Sequence, residues 1–191
     1  MQKLNNFSKL LTFFISVVVI VSVWATSASG QAQLTEQSKL AINGIGPIRV
    51  GMTVDEASHS AGVKLVTGYG DHDEYLCSYF TPQDSPKGIA FMVTKGRIAR
   101  VDNFSNKRIT TIKGARIGDS EERIISLYPG QIQVTKHPYQ RLPLTNQKYL
   151  IFVPKDAADK NYRIIFETSK NRVERFRSGK IPEVDQVEGC F

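Results

Sequence analysis

The stretch "IGPIRVGMTVDEA", Ile45 to Ala57, returns as "IKGARIGDSEERI", Ile112 to Ile124. A chain that carries one pattern twice is constrained to fold as two copies of one small unit. Arg49, Val50 and Gly51 meet Arg116, Ile117 and Gly118, with Thr53 over Ser120, at a shift of 67. Val66-Thr67 meets Val134-Thr135 at 68, and Tyr75-Leu76 meets Tyr149-Leu150 at 74. The longest block, "FMVTKGRIARV" from Phe91 to Val101, lies over "FETSKNRVERF" from Phe166 to Phe176 at 75 without a gap. Four ordered blocks predict two repeats, 42–106 and 107–179, preceded by a segment 31–41 and followed by a tail 180–191.

Each repeat opens with signals for a short helix. Thr53 can cap the first while Glu56 reaches back to the cap N–H, and Val54, Ala57 and Ala61 share a face. In the second, Asp119 or Ser120 caps, Glu121 and Glu122 favour the positive helix start, and Ile124, Leu127 and Tyr128 form the apolar side. Gly62 and Pro129-Gly130 predict that both helices stop after about three turns. Strands follow. Ile89, Phe91 and Val93 alternate on one face, as Ile164, Phe166 and Thr168 do in the second repeat. Lys95-Gly96 and Lys170-Asn171 then encode the same tight hairpin turn in different letters, because glycine and asparagine tolerate positive φ. Earlier strands are expected over Tyr75 to Thr81, matching Tyr149 to Val153, and over Val63 to Thr67, matching Gln131 to Thr135. One helix with three or four antiparallel strands, stated twice and packed as one unit, makes an α+β fold.

The first thirty residues read as a secretory signal peptide, with Lys3 and Lys9 ahead of an apolar run and the small residues of "ATSASGQA" after it. Cleavage after Gly30 or Ala32 leaves no stable transmembrane span, and an uncleaved anchor is the alternative. The expected location is outside the cytoplasm, periplasmic or secreted. There the two cysteines, Cys77 and Cys190, are expected to pair, the alternative being two buried free thiols. A bridge would set Cys77 in a strand interior, at the place of Ile151 in the alignment, and tie down a tail with no strong periodicity of its own.

Little in the sequence speaks for catalysis. His59, His72 and His137 show no metal spacing, no G-x-S-x-G occurs, and no glycine-rich phosphate loop appears, so neither a cofactor nor an enzyme is expected. The cluster "GDHDE", with Asp71, Asp73 and Glu74, has part of a calcium loop's oxygen set and reads more simply as a solvated loop. The charge is suggestive. From Gln31 to Arg100 there are 7 basic and 7 acidic residues, whereas Val101 to Phe191 holds 16 and 11, a balance of 16 − 11 = +5. Arg163, Lys170, Arg172, Arg175, Arg177 and Lys180 concentrate it in the last hairpin, with Arg175 and Arg177 on one strand face. Such a patch can dock an anionic envelope component or an acidic protein, or it can simply protect an exposed strand edge. Outside the cell, nucleic acid is not an expected partner. Tyr75 and Tyr79 share a face with Cys77, which marks either packing between the repeats or a surface for a partner.

"IRVGMTVDEA" resembles the helix-opening motif G-M-[ST]-x-x-[DE] of small bacterial envelope proteins. The pattern from Ile42 to Gly179 resembles the beta-lactamase inhibitor protein fold, a tandem of two helix-plus-four-strand repeats. It is similar also to the small outer-membrane-assembly lipoproteins, which hold one copy, and to exported two-repeat bacterial proteins of unassigned activity. The resemblance implies a concave sheet that grips another protein, hence a non-enzymatic binding protein or, alternatively, an inhibitor of a secreted or periplasmic hydrolase. Two features depart from it. The inhibitor proteins carry a disulfide within each repeat, and the lipoproteins carry an acylated cysteine that this chain lacks.

Overall fold

The computed structural model describes residues 33–68, 77–138 and 146–190. Residues 1–32, where a signal peptide is expected, the "GDHDE" stretch and Tyr75 lie outside the described residues. Three short strands come first: β1 (Lys39–Ala41), β2 (Gly44–Ile45) and β3 (Ile48–Arg49). Helix α1 (Val54–Ala61) follows, then β4 (Leu65–Thr67), β5 (Ser78–Pro82), β6 (Ile89–Thr94) and β7 (Arg97–Asn103). After β8 (Thr110–Thr111) the pattern recurs as α2 (Glu121–Leu127), β9 (Ile132–Lys136), β10 (Lys148–Phe152), β11 (Tyr162–Ser169) and β12 (Arg172–Lys180). The fold is α+β.

Both helices form where the caps require. Thr53 and Glu56 close a reciprocal capping box, and Gly62 ends α1 in the left-handed region at φ 61°. Ser120 caps α2, while Asp119 instead accepts from the Arg116 N–H and pairs with Arg123 at 3.2 Å. At 8 and 7 residues the helices make about two turns, shorter than expected from their stop signals, because chain reversal begins at once after the last buried residue.

Strand order in the main sheet is β4-β5-β6-β7-β12-β11-β10-β9, one antiparallel meander followed by the other in reverse. β7 and β12 join them with Asp102 opposite Arg177 and Val101 opposite Ser178. The two halves share local detail. Gly51 N–H donates to Ile98 O at 2.7 Å and Gly118 N–H to Val173 O at 2.8 Å, both glycines lying near φ 95°. Arg97 and Arg172 each donate to the carbonyl of that glycine, at 2.7 and 2.9 Å. A register shift falls between Met92 and Val93 and again between Glu167 and Thr168. Gly179 sits where the halves meet, and a Cβ there would lie 2.5 Å from Ala99 O, so only glycine lets β12 approach β7.

Cross-strand pairing corrects part of the alignment. Phe80 faces Phe91 and Leu150 faces Phe166, so Tyr79-Phe80 answers Tyr149-Leu150 at a shift of 149 − 79 = 70, not Tyr75-Leu76 at 74. A difference of four preserves the inward–outward alternation, which is why side-chain pattern alone could not tell the two apart. Cys77 therefore does not take the place of Ile151. It lies half-buried just before β5 rather than inside a strand.

Apolar residues from both halves form one continuous core on the helix side, where Phe91, Phe166, Phe176, Leu150 and Ile124 are fully buried. Each such side chain contributes about 1.5–3 kcal/mol of transfer free energy. Both hairpin turns adopt the expected conformation: Lys95 and Gly96 have φ 52° and 70°, Lys170 and Asn171 have 50° and 61°. Asn171→Val should then cost about 1–2 kcal/mol, the strain of a left-handed residue. Urea unfolding of the variant against Asn171→Gly, which should lose far less, checks this; equal losses would mean that the turn is not set by its φ.

Candidate functional site

On the sheet face away from the helices lies the C-terminal tail, with a 3-10 turn at Glu183–Asp185. Val184 is fully buried beside Tyr149 and Ile165, and Cys190 packs with Tyr79, Ala90 and Met92. Cys190 is bonded to Cys77, with Cα atoms 5.2 Å apart, inside the span a disulfide requires. Burial of Tyr79 is thus the work of the tail. Over β7 and β12 this sheet face is covered by the chain's own end, whose carbonyls Arg100 and Arg177 hold.

Beneath the tail, charged side chains of β7, β11 and β12 converge. Arg100 is buried and spends every nitrogen: Nε donates to Asp102 Oδ2 at 2.8 Å, Nη1 to Glu183 O at 2.9 Å and Gln186 O at 2.7 Å, and Nη2 to Tyr79 Oη at 2.5 Å. Arg177 donates through Nε to Val184 O at 2.7 Å and through Nη1 to Glu167, while its buried Nη2 has no hydrogen-bond partner. Its guanidinium lies 5.2 Å above the Tyr149 ring, as that of Arg100 lies 5.9 Å above Tyr79. Arg175, about 50% exposed, is tied by Nε to Glu167 at 3.2 Å. A pocket of about 210 Å³ opens among these residues, walled by Phe104 and by Val187 and Glu188 of the tail.

Burial sets the ionisation of the cluster. Asp102 is pushed above the ordinary carboxylate value by its complete desolvation, against the pull of Arg100 and Arg177, with Glu167 adding to the rise. Desolvation also opposes the charge on Arg100, but Asp102, Tyr79 and Glu167 outweigh it and hold its pKa above the usual arginine value. Tyr149 is raised by burial and by Glu167, against Arg177 and Arg175.

Arg175, Arg177 and Tyr79 were all legible as candidates, and all border this cluster. The other arginines do not join it. Arg163 bonds the carbonyls of Lys160 and Tyr162, and Arg172 braces the Gly118 junction. Protection of an exposed edge is not the role of this hairpin, because β12 and β11 are interior strands and the sheet ends at β4 and β9. Sequence reading missed Asp102 and Glu167, and saw Arg100 only as the counterpart of Arg175. The signal available was their shared alternation on one strand face with Tyr79 and Arg177.

Among the described residues no group of three His, Cys, Asp or Glu side chains could hold a metal, and no helix is long and apolar enough to cross a membrane. No family model matches the chain, and no curated protein matches it. Among solved structures it is similar to the uncharacterized protein yfeY from Escherichia coli, at 17% identity over 74% of this chain and 99% of that one, with a TM-score of 0.47. At that distance the likeness supplies no function.

Proposed function

We propose that this chain is an exported, non-enzymatic binding protein of the bacterial envelope, a tandem duplication in the manner of the beta-lactamase inhibitor fold, that holds an anionic partner at the pocket beneath its tail. One observation carries the reading. Arg100, Arg175 and Arg177 line the pocket with Asp102, Glu167 and the exposed Glu188, and the half-exposed Arg175 guanidinium, held through Nε alone, is the cation that a partner can reach. A partly desolvated cation attracts an anion more strongly than one in water. The disulfide supports export, since such bonds persist in oxidising compartments. Binding is favoured over catalysis because both inner carboxylates are already held by guanidinium groups, so neither is free as a general base.

The test is a thermal-shift panel of carboxylates, phosphates and sulfated polysaccharide against the mature protein. Anions should raise the melting temperature, added salt should weaken the effect, and Arg175→Glu should abolish it while the protein stays folded. Arg177→Glu is not the equivalent variant: it sets a buried carboxylate against Glu167 and should unfold the protein. No response to any anion would remove this reading.

A further inference from the structure

We infer that the free edge of β9 docks a second copy of this chain, strand to strand across a two-fold axis, so that the main sheet runs on from one molecule into the next. This surface is apart from the pocket, since β10 and β11 lie between β9 and β12. The ladder shows which groups it offers. His137 donates its N–H to Gln147 O at 3.1 Å and Val153 donates to Gln131 O at 2.9 Å, so Gln133 and Thr135, in step with them, are the residues of β9 bonded to β10. Ile132, Val134 and Lys136 alternate with these, and their N–H and C=O groups point outward, where the sheet ends. Gln133 to Lys136 are all exposed. An unpaired strand edge is a template for another strand.

The duplication supplies an internal comparison. Pairing sets Leu65 over Ile132 and Thr67 over Val134, because Thr67 faces Phe80 as Val134 faces Leu150. At the β4 end Ser58 of α1 closes the edge: its Oγ accepts the Leu65 N–H at 3.1 Å and donates to Val54 O at 2.8 Å. The helix caps Thr53 and Ser120 set Ser58 over Ile125, which has no hydroxyl to offer and is 45% exposed. Val134 is 52% exposed. Among the described residues the large apolar side chains left exposed are Ile112, Ile125 and Val134, so the edge that lacks its polar cap also carries most of that surface.

Preorganisation, symmetry and charge select a second copy over other extended segments. β9 is already held extended by β10, so pairing two such strands avoids the ordering cost, about 1–2 kcal/mol per residue, that a flexible peptide would meet. The outward groups are self-complementary. With Val134 opposite Val134 at the axis, Ile132 lies opposite Lys136, and every outward N–H meets an outward C=O. The two Lys136 side chains then fall at opposite ends of the pairing, about 13 Å apart along the strand at ~3.3 Å per residue, beyond the ~8–10 Å over which exposed charges act at physiological salt.

Sedimentation equilibrium of the mature protein from about 5 µM to about 1 mM should show the average mass rising from one chain toward two, with little dependence on salt. Val134→Pro removes an outward N–H that the β10 ladder does not use, and Val134→Lys sets like charges face to face at the axis. Each should weaken association at least about tenfold while the urea midpoint stays close to wild type. Thr67→Lys, at the counterpart position on β4, should leave association unchanged. Amide exchange reads the same contact without a variant: Ile132, Val134 and Lys136 should become protected as concentration rises, while Gln133 and Thr135 should be protected already at the lowest. A single chain at every concentration, or association that Val134→Lys leaves intact, would overturn the proposal. A chain that stays single but gains protection at Ile132, Val134 and Lys136 on adding an acetylated alternating threonine-valine hexapeptide would overturn it too, and would give this edge to an extended segment of another protein.

Discussion

Replacing Cys77 and Cys190 together by serine should lower the unfolding free energy by about 4–5 kcal/mol, the loop entropy that a bridge across 113 positions removes from the denatured chain. No other single element of the fold constrains so long a loop. Locally the effect is directional. Glu183, Val184 and Gln186 are held by Arg100 and Arg177 through their carbonyls, so the first part of the tail keeps three anchors without the bridge. Val187 to Cys190 depends on the disulfide and on the packing of Val187 and Cys190, and this is the part that walls the pocket. Urea unfolding of the double variant and of the reduced wild type should agree. In the native state, amide exchange should rise at Gly189 and Cys190 before it rises at Val184. A loss below about 1 kcal/mol would mean that the guanidinium clamps alone define the tail and that the denatured chain is little constrained by the bridge.

Arg100→Met should cost about 3–5 kcal/mol at neutral pH, because it strands the buried Asp102 carboxylate and frees two tail carbonyls and the Tyr79 hydroxyl. The cost should depend on pH with a definite sign. Burial already raises the Asp102 pKa above the ordinary aspartate value of 3.8, so its contribution to stability is full below that value and is lost as pH rises through the raised one. Removing Arg100 takes away the largest influence that opposes the rise. The variant should therefore be closest to wild type in acid, below about pH 4, and fall away toward neutrality. Pairing it with Asp102→Leu should recover much of the loss, since exchanging both members of a buried ion pair for apolar groups is often near neutral. Denaturation curves of the single and double variants at acid and neutral pH measure all three terms. A deficit that shrinks as pH rises would contradict the assignment of Asp102 as the stranded charge.

Several local features were legible in the sequence because their causes are local. The capping box needs only Thr53 and Glu56 three places apart, and the hairpin turns need only residues that accept positive φ. Alternation put Ile89, Phe91 and Val93 toward the core and Arg175 with Arg177 on one face, since side-chain direction along a strand has a period of two. The same period hid the misalignment of Tyr75 with Tyr149, because any even slip leaves the pattern intact. Backbone pairing alone resolved it.

The sequence by itself determined the fold class and the positions of both helices and both late hairpins, and its even cysteine count pointed to the bridge between Cys77 and Cys190 that the structure forms. Which strand lies at an edge is a property of the whole sheet, settled by which pairing buries the most apolar surface. No short window of residues contains that comparison. Tertiary structure alone therefore made β12 interior, faced Asp102 with Arg177, laid the tail over both, and turned what reads as an exposed basic hairpin into the wall of a pocket lined by arginines and carboxylates together.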